Sequence, residues 1–217
     1  EIIDATADLV CAFKPNVAFF EGKVASEKAL GNVVRRIHSK YPDIAVIGDT
    51  KRADIGNTNR LYAELFDRYD FDAMTTNPYF GPDTYPPFLD RPGKGLIILC
   101  KTTNPGAAYF QDAPVDLARY GKLQEANGTP LTAEEWHLAR NAAVDFRRTH
   151  SENWTEEIYE VVPMYQLIAL RTATLAKENP NIGLVVGATH PEAFASVRRL
   201  APNVPFLVPG IGTQGGD

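Results

Sequence analysis

Asp49, Lys51 and Asp54 lie within the stretch 48-GDTKRADIGNT-58, directly after the apolar run 44-IAVI-47, and Lys14 closes an earlier apolar run, 9-LVCAFK-14. On a strand, residues i and i+2 share a face, so Asp49 and Lys51 are expected to point the same way. Lys14 ends the preceding strand, and sequential parallel strands usually pair, which makes Lys14 the neighbour of Asp49. Asp54 falls beyond the strand, on the loop before the next helix, and need not face its own strand ends. An alternating Lys–Asp–Lys–Asp set in a partly dry site holds its charges by mutual attraction. It suits a reaction that builds negative charge on carbon, because an ammonium group stabilises that charge and then delivers its proton. Spacing alone does not separate this reading from an ion-pair network at a strand end, which is common and contributes little.

These residues must be held by regular elements. Apolar runs recur at 9–14, 44–49, 71–76, 95–100, 182–187 and 205–210, with helical candidates over 22–40, 57–68, about 158–177 and 191–200 between them. In 22–40, Val24, Leu30, Val33, Val34 and Ile37 form an apolar stripe at helical spacing. Asn57 or Thr58 reads as the N-cap of the next helix. Near-continuous apolar strands alternating with helices predict a parallel sheet covered by helices. An open doubly wound sheet and a closed eight-stranded barrel both fit that order. Polar residues at the ends of the runs, Lys14, Asp49, Lys51, Asn77, Thr102, Thr103 and Gln214, favour the barrel, which gathers its strand ends around one mouth. Six runs are countable where a barrel needs eight. Residues 113–158 break the rhythm and read as an insertion in a strand–helix loop, with Thr132 as N-cap of an amphipathic helix over 131–148. Gly210, Gly212, Gly215 and Gly216 follow the last run and read as a phosphate-approaching loop.

Composition narrows the classes. The chain has 217 residues, 44% of them apolar and 23% charged, enough for a sizeable core. A net charge of −5 gives no basic footprint for nucleic acid, and no apolar window is long enough to span a bilayer. Cys11 and Cys100 sit in apolar runs without metal spacing and are expected to be buried thiols in a reducing compartment. His38, His137, His150 and His190 share no ligand spacing and read as surface or capping residues, while Trp136 and Trp154 read as packing anchors of the insertion.

The stretch 49-DTKRADIGNT-58 fits a D-x-K-x-x-D-I signature and resembles the orotidine 5'-monophosphate decarboxylase family. The segments 12-AFKPN-16, 77-NPYFG-81, 100-CKTTNPGA-107 and 208-VPGIGTQGGD-217 resemble it too, in the expected order, most closely its second bacterial subclass. The resemblance covers about 8–112 and 159–217. It implies a (β/α)8 TIM barrel in one domain over 1–217, with strands two to seven present and the first and last strands missing, so that the chain reads as a fragment. It implies conversion of orotidine 5'-monophosphate to UMP and CO2 in de novo pyrimidine biosynthesis, in the cytoplasm, with no metal and no organic cofactor. Lys14, Asp49, Lys51 and Asp54 correspond to the catalytic tetrad, with Lys51 as proton donor to C6 and Asp49 against the substrate carboxylate. Asp54, Ile55 and Thr58 correspond to residues that reach the other subunit's site, which implies a homodimer. Thr103 stands where the subclass usually has serine and corresponds to the hydroxyl that reads the pyrimidine edge. Gln214 corresponds to the glutamine that bridges phosphate and base, and Thr213 stands where alanine is usual. Such a fragment is expected to expose two unpaired sheet edges and to bind substrate poorly without the phosphate grip. Two other readings share the fold: a sugar-phosphate decarboxylase barrel, whose neighbouring strand carries an acid where this chain has Lys14, and a catalytically silent nucleotide-binding barrel.

Overall fold

The computed structural model describes residues 1–149 and 160–216. The chain divides into two compact units, Glu1–Leu99 with Asn181–Gly183, and Cys100–Pro180 with Leu184–Asp217. In chain order the first unit contains α1 (Ile2–Thr6), β1 (Ala12–Phe13), α2 (Val24–Lys40), β2 (Ala45–Gly48), α3 (Gly56–Tyr69), β3 (Ala73–Thr76), α4 (Pro86–Leu89) and the start of β4 (Gly95–Lys101). The strands are parallel, with Ala12 opposite Ala45, Gly48 opposite Met74, and Thr76 opposite Ile98. The helices between them supply the crossovers that parallel pairing requires.

The core of this unit follows from the apolar stripes. Leu30, Val34 and Ile37 of α2 are buried, as are Ala63 and Phe66 of α3 and Val46, Met74, Leu96 and Ile98 of the strands. Val24, expected on the α2 stripe, is exposed, because the helix begins at that residue and its first turn stands clear of the core. Gly48 ends β2 against the fully buried ring of Phe71, where a Cβ would lie 2.5 Å from a ring carbon. Asp4 tethers α1 to α2 by accepting from Lys40, Arg36 and Tyr41, and those bonds hold its carboxyl well below the usual carboxylate range.

The second unit contains the end of β4, α5 (Ala108–Gln111), β5 (Pro114–Asp116), α6 (Leu117–Ala126), α7 (Ala133–Thr149), β6 (Val161–Pro163), α8 (Met164–Glu178), most of β7 (Ile182–Val186), α9 (Pro191–Leu200) and β8 (Phe206–Leu207). β7 and β8 are parallel, and β5 pairs antiparallel with β6. Each of the six apolar runs contains a strand, so the parallel α/β reading holds. The pair β5 and β6 was not expected. Val161 and Val162 favour extended backbone, so the helical stretch expected from about 158 begins only at Met164. Cys100 is buried, but Cys11 is exposed, because it precedes β1, which pairs with β2 alone among the described residues and so forms a sheet edge.

Within 113–158, residues 150–158 lie outside the described residues, as do His150 and Trp154 of the reading above. The helix expected at 131–148 is α7. Thr132 Oγ1 accepts from the Glu135 N–H at 3.1 Å, and Glu135 Oε2 accepts from the Thr132 N–H at 2.8 Å, a reciprocal capping box. Glu135 is buried and also accepts from Arg171 at 3.0 Å and Thr174 at 2.8 Å, which ties α7 to α8. Trp136 packs its ring over Gly121 of α6, where a Cβ would lie 2.3 Å from the ring. Thr132→Ala is therefore expected to destabilise by about 1 kcal/mol. Glu135→Ala should cost about 3 kcal/mol, because it strands the Arg171 charge. Urea unfolding of the two variants measures the difference.

Candidate active site

β2 delivers Asp49 one residue past its end. The Asp49 N–H donates to the Pro15 carbonyl at 2.9 Å, and its own carbonyl accepts from the Val17 N–H at 3.2 Å, so the strand-end backbone is fixed to the segment after β1. The same pairing brings Lys14 beside it. Lys14 Nζ donates to Asp49 Oδ2 at 2.8 Å, and Lys51 Nζ donates to Asp49 Oδ1 at 2.6 Å. The expected neighbours therefore meet.

The reason for the Asp49–Lys51 contact differs from simple strand alternation. β2 stops at Gly48, and Lys51 has φ of 49°, in the left-handed region that costs a side-chain-bearing residue about 1–2 kcal/mol. The turn folds Lys51 back over Asp49. Thr75 of β3, buried, holds that turn. Its Oγ1 donates to Asp49 Oδ1 at 2.9 Å and accepts from the Lys51 N–H at 2.9 Å. Burial pushes the Asp49 carboxyl up. Hydrogen bonds from Lys14 and Lys51, the Lys14 charge and the Thr75 hydroxyl together outweigh that, and the net shift is downward. The carboxylate is thus buried, whereas the Lys51 side chain is 49% exposed and within reach of a ligand.

Asp54 stands apart from this cluster. Its Oδ1 accepts from the Ile55 N–H at 2.7 Å, and it forms no ion pair among the described residues. Asn59, buried in α3, positions the segment by accepting from the Asp54 N–H and donating to the Thr84 carbonyl, each at 2.8 Å. α3 begins at Gly56 with Ile55 as its N-cap residue, so Asn57 and Thr58 lie inside the first turn and neither caps it. The Asp54–Asn59 bond instead ties the loop before α3 to the helix, and no side chain caps the first turn. Ile55 is 64% exposed, and Thr58 is partly buried.

Thr103 and Gln214 belong to the second unit. The Thr103 methyl fills the space left by two glycines. A Cβ on Gly187 would lie 2.7 Å from it, and one on Gly210 would lie 2.8 Å from it. Gln214 Oε1 lies beside Gly210, 3.2 Å from the same hypothetical Cβ. The glycine loop closes on itself through the bond from the Gly216 N–H to the Gly210 carbonyl at 2.9 Å. Gln111 clamps the turn before Thr103, accepting from the Thr102 N–H at 2.9 Å and donating to Thr102 Oγ1 at 2.8 Å. Lys101, fully buried, pairs with Asp112 at 2.5 Å. Sequence reasoning missed Thr75, Asn59 and Gln111. The pair Thr75–Thr76 at the end of an apolar run was the available signal for the first.

A parallel α/β fold with a lysine–carboxylate–lysine cluster at its strand ends defines the class: an α/β protein that gathers charged side chains where its parallel strands end. The chain belongs to the orotidine 5'-phosphate decarboxylase / HUMPS family, whose model matches residues 1–149. It is 40% identical to orotidine 5'-phosphate decarboxylase of Cupriavidus metallidurans over 100% of this chain and 64% of that protein. It is also 40% identical to the enzyme of the same name from Cellvibrio japonicus, over 100% of this chain and 63% of that protein. The solved OMP decarboxylase of Leishmania donovani is 32% identical with a TM-score of 0.70, over 97% of this chain and 66% of that one. The chain thus spans just under two thirds of the length of the curated relatives it matches.

Two outcomes follow from this geometry. Asp49 has a folded pKa below its unfolded value, so its contribution to stability is present above about pH 4 and is lost as pH falls through the folded value. Asp49→Asn should flatten the acid limb of a stability–pH curve measured by urea unfolding. Gly187→Ala should cost about 1–3 kcal/mol by overpacking against Thr103. Adding Thr103→Ser removes the clashing methyl and should recover most of that loss in a double-mutant cycle.

Proposed function

We propose that this chain is part of an orotidine 5'-monophosphate decarboxylase that converts its substrate to UMP and CO2 in cytoplasmic pyrimidine biosynthesis. The observation that carries the reading is the sharing of buried Asp49 between Lys14 and Lys51, with Lys51 half exposed. Its relatives bearing that name support it. The bond between C6 and the carboxylate carbon breaks, and its electron pair stays on C6. That pair lies in the ring plane and gains little from delocalisation, so the fixed Lys51 ammonium stabilises it and supplies the proton. The neutral amine then regains a proton from water. Asp49 sits against the departing carboxylate, and Lys14 holds Asp49 ionised. Binding energy from the distant phosphate is used at the reacting carbon.

In this reading the six parallel strands correspond to strands two to seven of one (β/α)8 barrel domain, and 113–158 is an insertion in it. Asp54, Ile55 and Thr58 serve the site of the other subunit in a homodimer. The absence of an ion pair at Asp54 among the described residues and the exposure of Ile55 are in keeping with that arrangement. Thr103 reads the pyrimidine edge, and Gln214 bridges phosphate and base.

The test is loss of orotate absorbance when the complete protein is given orotidine 5'-monophosphate in EDTA. Turnover that survives EDTA supports the reading, and no turnover with this substrate sinks it. Lys51→Ala should lower kcat by roughly 10²–10⁴-fold while leaving UMP affinity within about tenfold.

A further inference from the structure

The β2–β3 ladder ends at Gly48 opposite Met74, yet three side-chain hydrogen bonds continue the connection beyond it. Thr50 Oγ1 donates to the Thr75 carbonyl at 2.8 Å, the Lys51 N–H donates to Thr75 Oγ1 at 2.9 Å, and Thr76 Oγ1 donates to the Arg52 carbonyl at 2.8 Å. They fasten residues 50–52 to the end of β3 at each position. Lys51 is the middle one, and one of only two non-glycine residues with positive φ among the described residues. A backbone in that conformation persists only where its surroundings hold it. The bond to the Lys51 N–H is the direct restraint on that residue, and its acceptor is Thr75.

The same hydroxyl has its proton pointed elsewhere. A hydroxyl has one proton to donate, and that of Thr75 goes to Asp49 Oδ1 at 2.9 Å, the oxygen that also accepts from Lys51 Nζ at 2.6 Å. Thr75 therefore closes a small ring, from Asp49 Oδ1 through its own Oγ1 to the Lys51 backbone and back along the Lys51 side chain. The residue is 1% exposed, so no water replaces its bonds without a rearrangement. Its β-branched Cβ restricts χ1, which keeps the hydroxyl aimed.

We propose that Thr75 is a positioning residue for the decarboxylation, setting the distance between Asp49 and the Lys51 ammonium through its single hydroxyl. The inference rests on the decarboxylase reading. It extends it by naming the group that holds the proton donor where protonation of C6 requires it. Without that hydroxyl, Lys51 relaxes toward ordinary backbone conformation and its ammonium swings off Asp49. Asp49 also loses a donor that favours its charged form, the direction already seen in its lowered pKa.

The experiment uses the complete protein with Thr75→Val, which keeps the volume and removes the hydroxyl, and Thr75→Ser, which keeps the hydroxyl. Thr75→Val is expected to lower kcat by about 10- to 100-fold with KM within about threefold, and to move the acid limb of the kcat profile to higher pH. Thr75→Ser is expected to stay within about threefold of the unmodified protein in kcat. Carbon-13 NMR titration of the Asp49 carboxyl, which needs no turnover, should shift upward in Thr75→Val. Wild-type kcat in Thr75→Val, an unmoved Asp49 titration, or a Thr75→Ser as impaired as Thr75→Val would each overturn the proposal. If Thr75→Val does not fold, Thr75→Ala takes its place against Thr75→Ser with the same criteria. Failure of the decarboxylase reading is distinguishable: the unmodified protein then leaves orotidine 5'-monophosphate unchanged while the Asp49 titration still responds to Thr75.

Discussion

One buried carboxylate organises the strand ends of the first unit. Asp49 is taken out of water, which by itself disfavours its charge, and it stays charged because two ammonium groups and a hydroxyl converge on it. Those donors come from different places: Lys14 from beyond β1, Lys51 from the turn after β2, Thr75 from β3. The arrangement exists only while the three strands keep their register. A slip of one residue would reverse the side-chain directions on the displaced strand and break the cluster. The apolar core beneath, with Val46, Met74 and the ring of Phe71 under Gly48, holds that register.

The two charges at the heart of the cluster are treated differently by their surroundings. Asp49 is held by backbone bonds on both sides and by side-chain donors on both oxygens, so it has little freedom. Lys51 is restrained at its backbone, while its long side chain remains half exposed. A fixed anion beside a reachable cation pre-organises an electrostatic environment, and such environments stabilise developing charge without reorganising during the reaction. Arg52, the next residue, pairs with Glu21 and lies over the Tyr62 ring, so the chain just past Lys51 is anchored as well.

In the second unit, close approach rather than charge sets the local structure. Gly187 and Gly210 leave room for the Thr103 methyl, and Gly216 lies so near Ala188 that a Cβ would sit 2.6 Å from that residue's own Cβ. Gln111 and the Lys101–Asp112 pair brace the turn that carries Thr103. The buried Lys101 carries a desolvation cost that its carboxylate partner offsets.

Apolar runs separated by helical stripes were enough to read the parallel α/β class, because burial on both faces of a strand leaves a continuous apolar signature. The Asp-x-Lys spacing and the ending of the previous run in lysine were enough to bring Lys14, Asp49 and Lys51 together on paper. The sequence by itself thus determined which elements form and which charges lie near their ends, since both depend on local composition and on the pairing of neighbouring strands. It did not show the left-handed turn at Lys51, the strand at 161–163, the exposure of Cys11, or the Asp54–Asn59 bond that ties the loop before α3 to the helix. Nor did it single out Thr75. Each of these depends on a partner 5 to 49 residues away or on an edge, and hydrogen bonds between distant residues leave no periodicity in the chain. Only tertiary structure decides which hydroxyl is buried beside which carboxylate.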